Sequence, residues 1–306
     1  MLKEKILSRS NGILLYGITP PKKTHTCEEI EAISSLHVER LNALKIDGVV
    51  LYDIQDEKER TTQERPFPFI ETLDSYYYAQ KYLQKLNKPV IIYKAVGKYS
   101  QDEFKSWLKD SIGKTSYSVF VGAASSGQKV NTSIQEAYKL KQEINNGLIL
   151  GGIAIPERHS IKHDEHVRIF SKIDSGCEFF ISQAVYDLKA AKKLIDDYVD
   201  YALEKNRQTK PIIFTLTPCG SIKTLEFMKW LGINIPEYLE QKLINSEDIL
   251  HESVELILDI FKNLYMYGKQ KGVAVGCNVE SVAVRKAEIE ASISLVEDIR
   301  KIIEEN

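Results

Sequence analysis

The feature that most constrains this chain is a recurrence. Eight short apolar runs, rich in β-branched residues, lie at 13–16, 48–52, 90–93, 117–121, 148–154, 179–181, 212–216 and 273–276. Helical periodicity follows most of them, at 29–44, 73–86, 101–111, 133–143, 162–173 and 188–203. A helix pair at 223–230 and 246–267 precedes the last run, and a long helix from about 281 to 304 closes the chain. A strand buried on both faces of a parallel sheet reads as a nearly continuous apolar run, because helices cover one side and other strands the other. Eight such runs alternating with helices predict an α/β fold, a single (β/α)8 TIM barrel, as one domain over 1–306 that ends in the long helix. An open doubly wound sheet is the alternative. Its glycine-rich fingerprint is missing, since Gly17-Ile18-Thr19-Pro20-Pro21 follows the first run. Gly113-Lys114-Thr115 lacks the upstream glycine of a phosphate-binding loop and reads as a turn.

Composition narrows the partners. Apolar residues make up 43% of the chain and charged ones 27%, enough for a sizeable core. The net charge is −2 with both signs interspersed, so no basic surface is available to release counterions from a nucleic-acid backbone. No run approaches the ~20 apolar residues of a membrane span, and the first residues lack a signal-peptide core, so a cytoplasmic protein is expected. Cys27, Cys177, Cys219 and Cys277 are far apart and show no CxxC or Cys/His ligand spacing. Buried thiols in a reducing compartment are expected, and a zinc site is not.

In an α/β barrel the functional surface is the set of residues that follow the strands. Here that set includes Gly17 and Thr19 after the first run, Tyr52, Asp53 and the charged loop with Arg60 after the second, and Tyr93 with Lys94 after the third. The fourth offers the small-residue loop 122–127, which holds no acid or base, and the fifth Glu157 and His159. The sixth contributes Gln183, Tyr186 and Asp187, the seventh Thr217, and the eighth Asn278 and Glu280. Gln183 stands out because an amide closing an apolar strand is costly unless satisfied. It either reads a heterocycle edge bidentately or ties down a neighbouring loop. Glu157 and His159 suit proton transfer or anion binding, or are ordinary loop charges. Lys172 is either a phosphate contact or a solvated lysine. Tyr52, Tyr93 and Tyr186 suit the walls of a planar-ligand site, and Arg60 and Arg65 a carboxylate or phosphate grip.

The segment Gly176-Cys177-Glu178-Phe179-Phe180-Ile181-Ser182-Gln183 with Tyr186-Asp187, the preceding Gly152-Ile153-Ala154-Ile155-Pro156-Glu157-Arg158-His159, and Thr217-Pro218 with the later Leu231-Gly232-Ile233-Asn234-Ile235-Pro236 resemble the methylenetetrahydrofolate reductases. The resemblance extends over most of the chain. It implies a barrel that binds FAD and then, in turn, NAD(P)H and a tetrahydrofolate derivative against the flavin. It places Gln183 on the folate-reading glutamine, with Tyr186, Thr217, Met228 and Asn278 on the substrate side. His159, Glu165, Lys172, Tyr52 and Ala124 fall on the cofactor side.

Two departures follow. The family's first strand ends with a glutamate that donates the proton for opening the methylene bridge, and Gly17 stands there instead. After strand four the family carries an Arg-Gly-Asp type loop, where this chain has Gly122-Ala123-Ala124. Loss of both groups weakens the case for FAD and calls for a substitute acid, for which Glu157 and Glu280 are the candidates. A reductase-like one-carbon enzyme is therefore the expected function. A flavin-free protein that binds methyl-tetrahydrofolate, or a methyltransferase that uses it, is the alternative. Association as a homo-oligomer or with a partner subunit is left open.

Overall fold

A computed structural model describes residues 1–56, 61–123 and 129–306. Eight strands, β1 (Leu14–Ile18), β2 (Gly48–Leu51), β3 (Val90–Ala95), β4 (Tyr117–Val121), β5 (Ile149–Ala154), β6 (Cys177–Ala184), β7 (Ile212–Leu216) and β8 (Val275–Val279), pair in sequence order and close on themselves as a barrel. Every ladder is parallel, including the closure of β8 on β1. The α/β barrel expected from the alternation is the fold.

Strand parity divides the apolar residues into two cores. Leu15, Val50, Ile91, Tyr93, Tyr117, Val119, Phe179, Ile181 and Ile213 point into the barrel and pack together. Their neighbours, among them Leu14, Tyr16, Val49, Ile92, Phe120, Phe180, Phe214, Val275 and Cys277, face the helical layer and form the larger core. A short helix α1 (Leu2–Leu7), too short to leave an apolar period in the sequence, closes the amino end: Leu2 and Ile6 join the inner core.

The outer layer comprises α2 (Cys27–Ala43), α3 (Ser75–Tyr82), α4 (Gln101–Asp110), α5 (Ile134–Ile144), α6 (Pro156–Lys162), α7 (Glu165–Asp174), α8 (Leu188–Glu204), α9 (Ile222–Trp230), α10 (Glu237–Ile244), α11 (Ile249–Lys271) and α12 (Lys286–Glu305). Thr26 with Glu29, Ser100 with Glu103 and Ser133 with Glu136 form capping boxes that fix the starts of α2, α4 and α5. None of the described helices is long and apolar enough to cross a membrane. Cys177, Cys219 and Cys277 are buried free thiols, and Cys27 is exposed.

Three details depart from expectation. The segment after β5, read as a loop, is the helix α6, which starts with Pro156 and stops at His163 in the left-handed conformation (φ 54°). The last strand runs two residues later than its apolar run, because its inward positions are Gly276 and Asn278 rather than aliphatic residues. A further helix, α10, precedes α11.

Barrel closure depends on one close approach. A Cβ on Gly276 would lie 2.5 Å from the backbone oxygen of Ile13, which itself accepts a hydrogen bond from Cys277 N at 2.8 Å. Gly276→Ala is expected to destabilise the protein by roughly 2–4 kcal/mol, through overpacking and a weakened β8–β1 ladder. Chemical denaturation of the two proteins checks it.

Candidate functional site

The inward positions change character toward the carboxyl ends of the strands. Below, they are mostly apolar; at the mouth they become Gly17, Tyr52, Tyr93, Gln183, Thr215, Asn278 and Glu280. Four of these form one hydrogen-bonded group. Asn278 Nδ2 donates to the Tyr52 hydroxyl at 2.8 Å and to Thr215 Oγ1 at 3.2 Å, and the Tyr52 hydroxyl in turn hydrogen-bonds the Glu280 carboxyl. Tyr93 packs edge-on to Tyr52 with ring centroids 4.8 Å apart. Thr215 also donates to the Ser182 carbonyl at 2.7 Å, which ties β7 to β6.

The glycine at position 17 is explained by this group. The β1–β8 register pairs Leu15 with Asn278 and Tyr16 with Val279, so one further step puts Gly17 beside Glu280. A Cβ on Gly17 would lie 2.7 Å from Tyr52 Cε2. The Tyr52 ring occupies the space that a side chain on β1 would take, and the carboxyl at this level of the barrel is carried by the adjoining strand. Burial pushes that carboxyl up to about 7, against a smaller opposing effect of the Tyr52 hydrogen bond. Burial, and then the Glu280 charge, hold the Tyr52 phenol well above its ordinary range, so it remains a donor. Asn278 is fully buried and its Oδ1 has no hydrogen-bond partner among the described residues, an acceptor directed to nothing the protein supplies.

Glu157, the other acid singled out by the sequence, begins α6 at the end of β5. It is buried, neither carboxylate oxygen has a hydrogen-bond partner among the described residues, and burial raises it to about 8, with the Asp187 and Glu165 charges adding to the effect. Gln183 is half-buried and its Nε2 donates to the Leu231 carbonyl at 2.7 Å, while no described residue donates to its Oε1. The loop-tying role therefore takes up one end of the amide and leaves the acceptor.

Several expected residues are placed elsewhere. Tyr186 is fully buried in the outer core, and its hydroxyl donates to the Thr217 carbonyl at 2.7 Å. Thr217 is fully buried as well, with Oγ1 accepting from Val282 N at 3.3 Å. Met228 is fully buried among the outer-core side chains. All three side chains are taken up in bracing the β6, β7 and α9 segments. Tyr186 points outward by plain alternation, at the parity of Phe180 rather than that of Ile181 and Gln183. Asp53 is occupied by Lys98 (2.5 Å) and the Tyr99 hydroxyl (3.0 Å). Ala124 and Arg60 lie outside the described residues. Thr215 was passed over in the sequence, although a threonine at the parity of Ile213 inside an apolar run was a readable signal.

The residues that the resemblance assigns to a flavin's ribityl-phosphate portion are closed on one another. Glu165 is fully buried between Arg158 (3.1 Å) and Lys172 (3.7 Å), and accepts from Ile155 N at 3.2 Å. Lys172 Nζ also donates to the Ile153 carbonyl. The His159 ring is fully buried and bonded to Asp197 at 2.8 Å. A phosphate needs unneutralised donors; here the acid already sits between the two cations and the histidine is turned to α8. Among the described residues this set does not fit the flavin phosphate.

The Glu280 carboxyl makes stability depend on pH. Its folded value of about 7 exceeds the ordinary 4.5, so the folded state holds a proton that the unfolded chain releases between those two values. Its contribution is therefore present below pH 4.5 and lost as pH rises through 7. Glu280→Gln is expected to stabilise the protein by up to roughly 3 kcal/mol at pH 8 and by almost nothing at pH 4. Denaturation midpoints at the two pH values check this.

Comparison with known proteins adds to the geometry. The methylenetetrahydrofolate reductase family matches residues 127–276. A solved structure of an uncharacterized Clostridium thermocellum protein that binds two copies of 5-methyl-5,6,7,8-tetrahydrofolic acid is 51% identical, covers 98% of this chain and 99% of its own, and superposes with a TM-score of 0.88. A 2,3-dimethylmalate lyase structure is 13% identical over 76% of this chain and 78% of its own, with a TM-score of 0.46, too distant to carry an argument. No curated protein matches. With residues 127–276 matched, and a relative at 51% identity covering 98% of the chain, the chain belongs to the methylenetetrahydrofolate reductase family.

Proposed function

We propose that this protein binds a reduced folate in the mouth of its barrel and reduces the methylene bridge of methylenetetrahydrofolate, with Glu280 as the proton donor. The observation that carries the reading is the Glu280 carboxyl: it is held near neutrality by burial, hydrogen-bonded to Tyr52, and next in register to the glycine that replaces the family's first-strand acid. A group whose pKa lies near the working pH is the most effective general acid. The Clostridium thermocellum relative, which binds 5-methyl-5,6,7,8-tetrahydrofolic acid, supports the folate ligand.

In this mechanism Glu280 delivers its proton to N10 of the folate. The bond from N10 to the methylene carbon breaks with its electron pair remaining on N10, and a cationic iminium is left at N5. A reduced nicotinamide then gives a hydride to the iminium carbon, yielding 5-methyl-tetrahydrofolate and the oxidised nicotinamide. Because the described residues do not fit a flavin phosphate, the hydride passes directly between the two ligands. Gln183 Oε1 supplies an acceptor for a pterin N–H group, the buried Asn278 orients the Tyr52 hydroxyl beneath it, and the Tyr52–Tyr93 pair forms an apolar wall for a flat ring.

Glu280→Gln is expected to lower methylenetetrahydrofolate-dependent NAD(P)H oxidation by ~10²–10⁴-fold while calorimetric affinity for 5-methyl-tetrahydrofolate changes little. Gln183→Ala is expected to weaken that affinity by roughly fivefold to tenfold, about 1 kcal/mol. The relative's bound methyl product favours a second reading, a protein that holds or delivers 5-methyl-tetrahydrofolate without redox chemistry. Tight folate binding by the wild-type protein with no nicotinamide oxidation would establish that reading in place of the first.

A further inference from the structure

Outside the barrel, three of the chain's six histidines fall within eight residues, His159, His163 and His166, across the α6–α7 junction. The helices fold them against α8. His159 Nε2 lies 2.8 Å from Asp197 Oδ2, and the rings of His159 and His166 stand nearly perpendicular with centroids 5.3 Å apart. One ligand atom each from His159, His166 and Asp197 lie within 4.8 Å of one another. The proposed chemistry at the barrel mouth uses none of them.

Two observations distinguish this cluster from a plain histidine–aspartate hydrogen bond. First, Nδ1 of His166 is buried without a hydrogen-bond partner among the described residues, an imidazole nitrogen that the protein itself does not use. A buried imidazole nitrogen ordinarily has a partner. Second, Asp197 divides its oxygens: Oδ2 faces His159, and Oδ1 is held by Lys193 at 2.6 Å. That arrangement fixes the carboxylate from behind with one oxygen presented inward, as an outer partner orients a metal-ligating carboxylate.

We propose that His159, His166 and Asp197 form a site for a divalent transition-metal ion of the zinc type, which clasps α6 and α7 to α8. Two imidazoles and one carboxylate are a common ligand set for such an ion, and the fourth position is left to water. Zinc–ligand distances of about 2.0–2.2 Å place tetrahedral donors about 3.4 Å apart. The widest gap in the cluster therefore has to close by roughly 1 Å, while His159 Nε2 and Asp197 Oδ2, now 2.8 Å apart, have to open by roughly half an ångström to admit the ion. The ion takes the place of the proton between His159 Nε2 and Asp197 Oδ2, and the ring proton of His159 moves to Nδ1. This departs from the expectation that no zinc site is present, which followed from the absence of CxxC and Cys/His spacing. The third ligand, Asp197, lies 31 residues beyond His166 and comes near only through the fold.

The test uses the full chain, free of any histidine tag and of metal. Co2+ is titrated while visible absorption is followed, and Zn2+ is titrated by calorimetry. The expected result is one ion per chain, a Co2+ ligand-field band that Zn2+ abolishes, and a raised thermal midpoint with Zn2+. His166→Ala and Asp197→Asn should each weaken binding by roughly tenfold or more, because each removes one of three ligands. His251→Ala, on α11, should leave binding unchanged. Asp197→Asn preserves side-chain shape, so it decides the matter if His166→Ala does not fold. Absence of saturable 1:1 binding, or equal affinity in wild type and Asp197→Asn, would overturn the proposal and assign any residual uptake to surface groups such as His163 and Cys27.

Discussion

The alternation of side chains in a closed parallel barrel constrains everything else in this molecule. Each strand sends every second residue inward, so only one residue per strand is available at a given level of the interior. Lower levels are filled by Leu15, Val50, Ile91, Val119, Phe179, Ile181 and Ile213, with α1 packed beneath them. Among the described residues, the mouth is the one level at which polar side chains face inward together, and its chemistry is set by very few positions.

The mouth also shows how a carboxyl can be carried at one level of the barrel by the strand next to the one that lacks it. Gly17 and Tyr52 are a coupled pair: the ring fills the space, and only glycine tolerates it. Glu280 then lies at the same level on the adjoining strand, since β8 closes on β1 in register. A half-buried acid held near neutrality and an unsatisfied Asn278 acceptor both cost stability, on the order of 1–3 kcal/mol each. Costs of this kind are characteristic of sites shaped for a ligand, since a core selected for stability alone satisfies or excludes such groups.

Much of this was legible in the sequence. The eight runs and their helices gave the barrel, because apolar strands buried on two faces leave a plain pattern. Gln183, Asn278, Glu280 and Tyr52 could be named because they end or follow those runs. Where the side chains beyond each strand end are taken up was not legible. Tyr186 lies past the end of β6 at the parity of Phe180 and packs into the outer core, and Thr217 is buried beneath the loop leading to α12. Helix α6 carries no clear apolar period, so its start at Pro156 passed for a loop. The pairing of Glu165 with both Arg158 and Lys172 spans two helices and needed the fold to become visible.

The central claim is that the acid of this barrel resides on β8 and is half-ionised near neutral pH. Infrared spectroscopy reads it directly, as the carbonyl stretch of a protonated carboxyl titrated in wild type and in Glu280→Gln, with the difference isolating that one group. The account predicts a band that disappears with a midpoint near 7. A difference band that titrates in the ordinary carboxylate range, near 4.5, would contradict it.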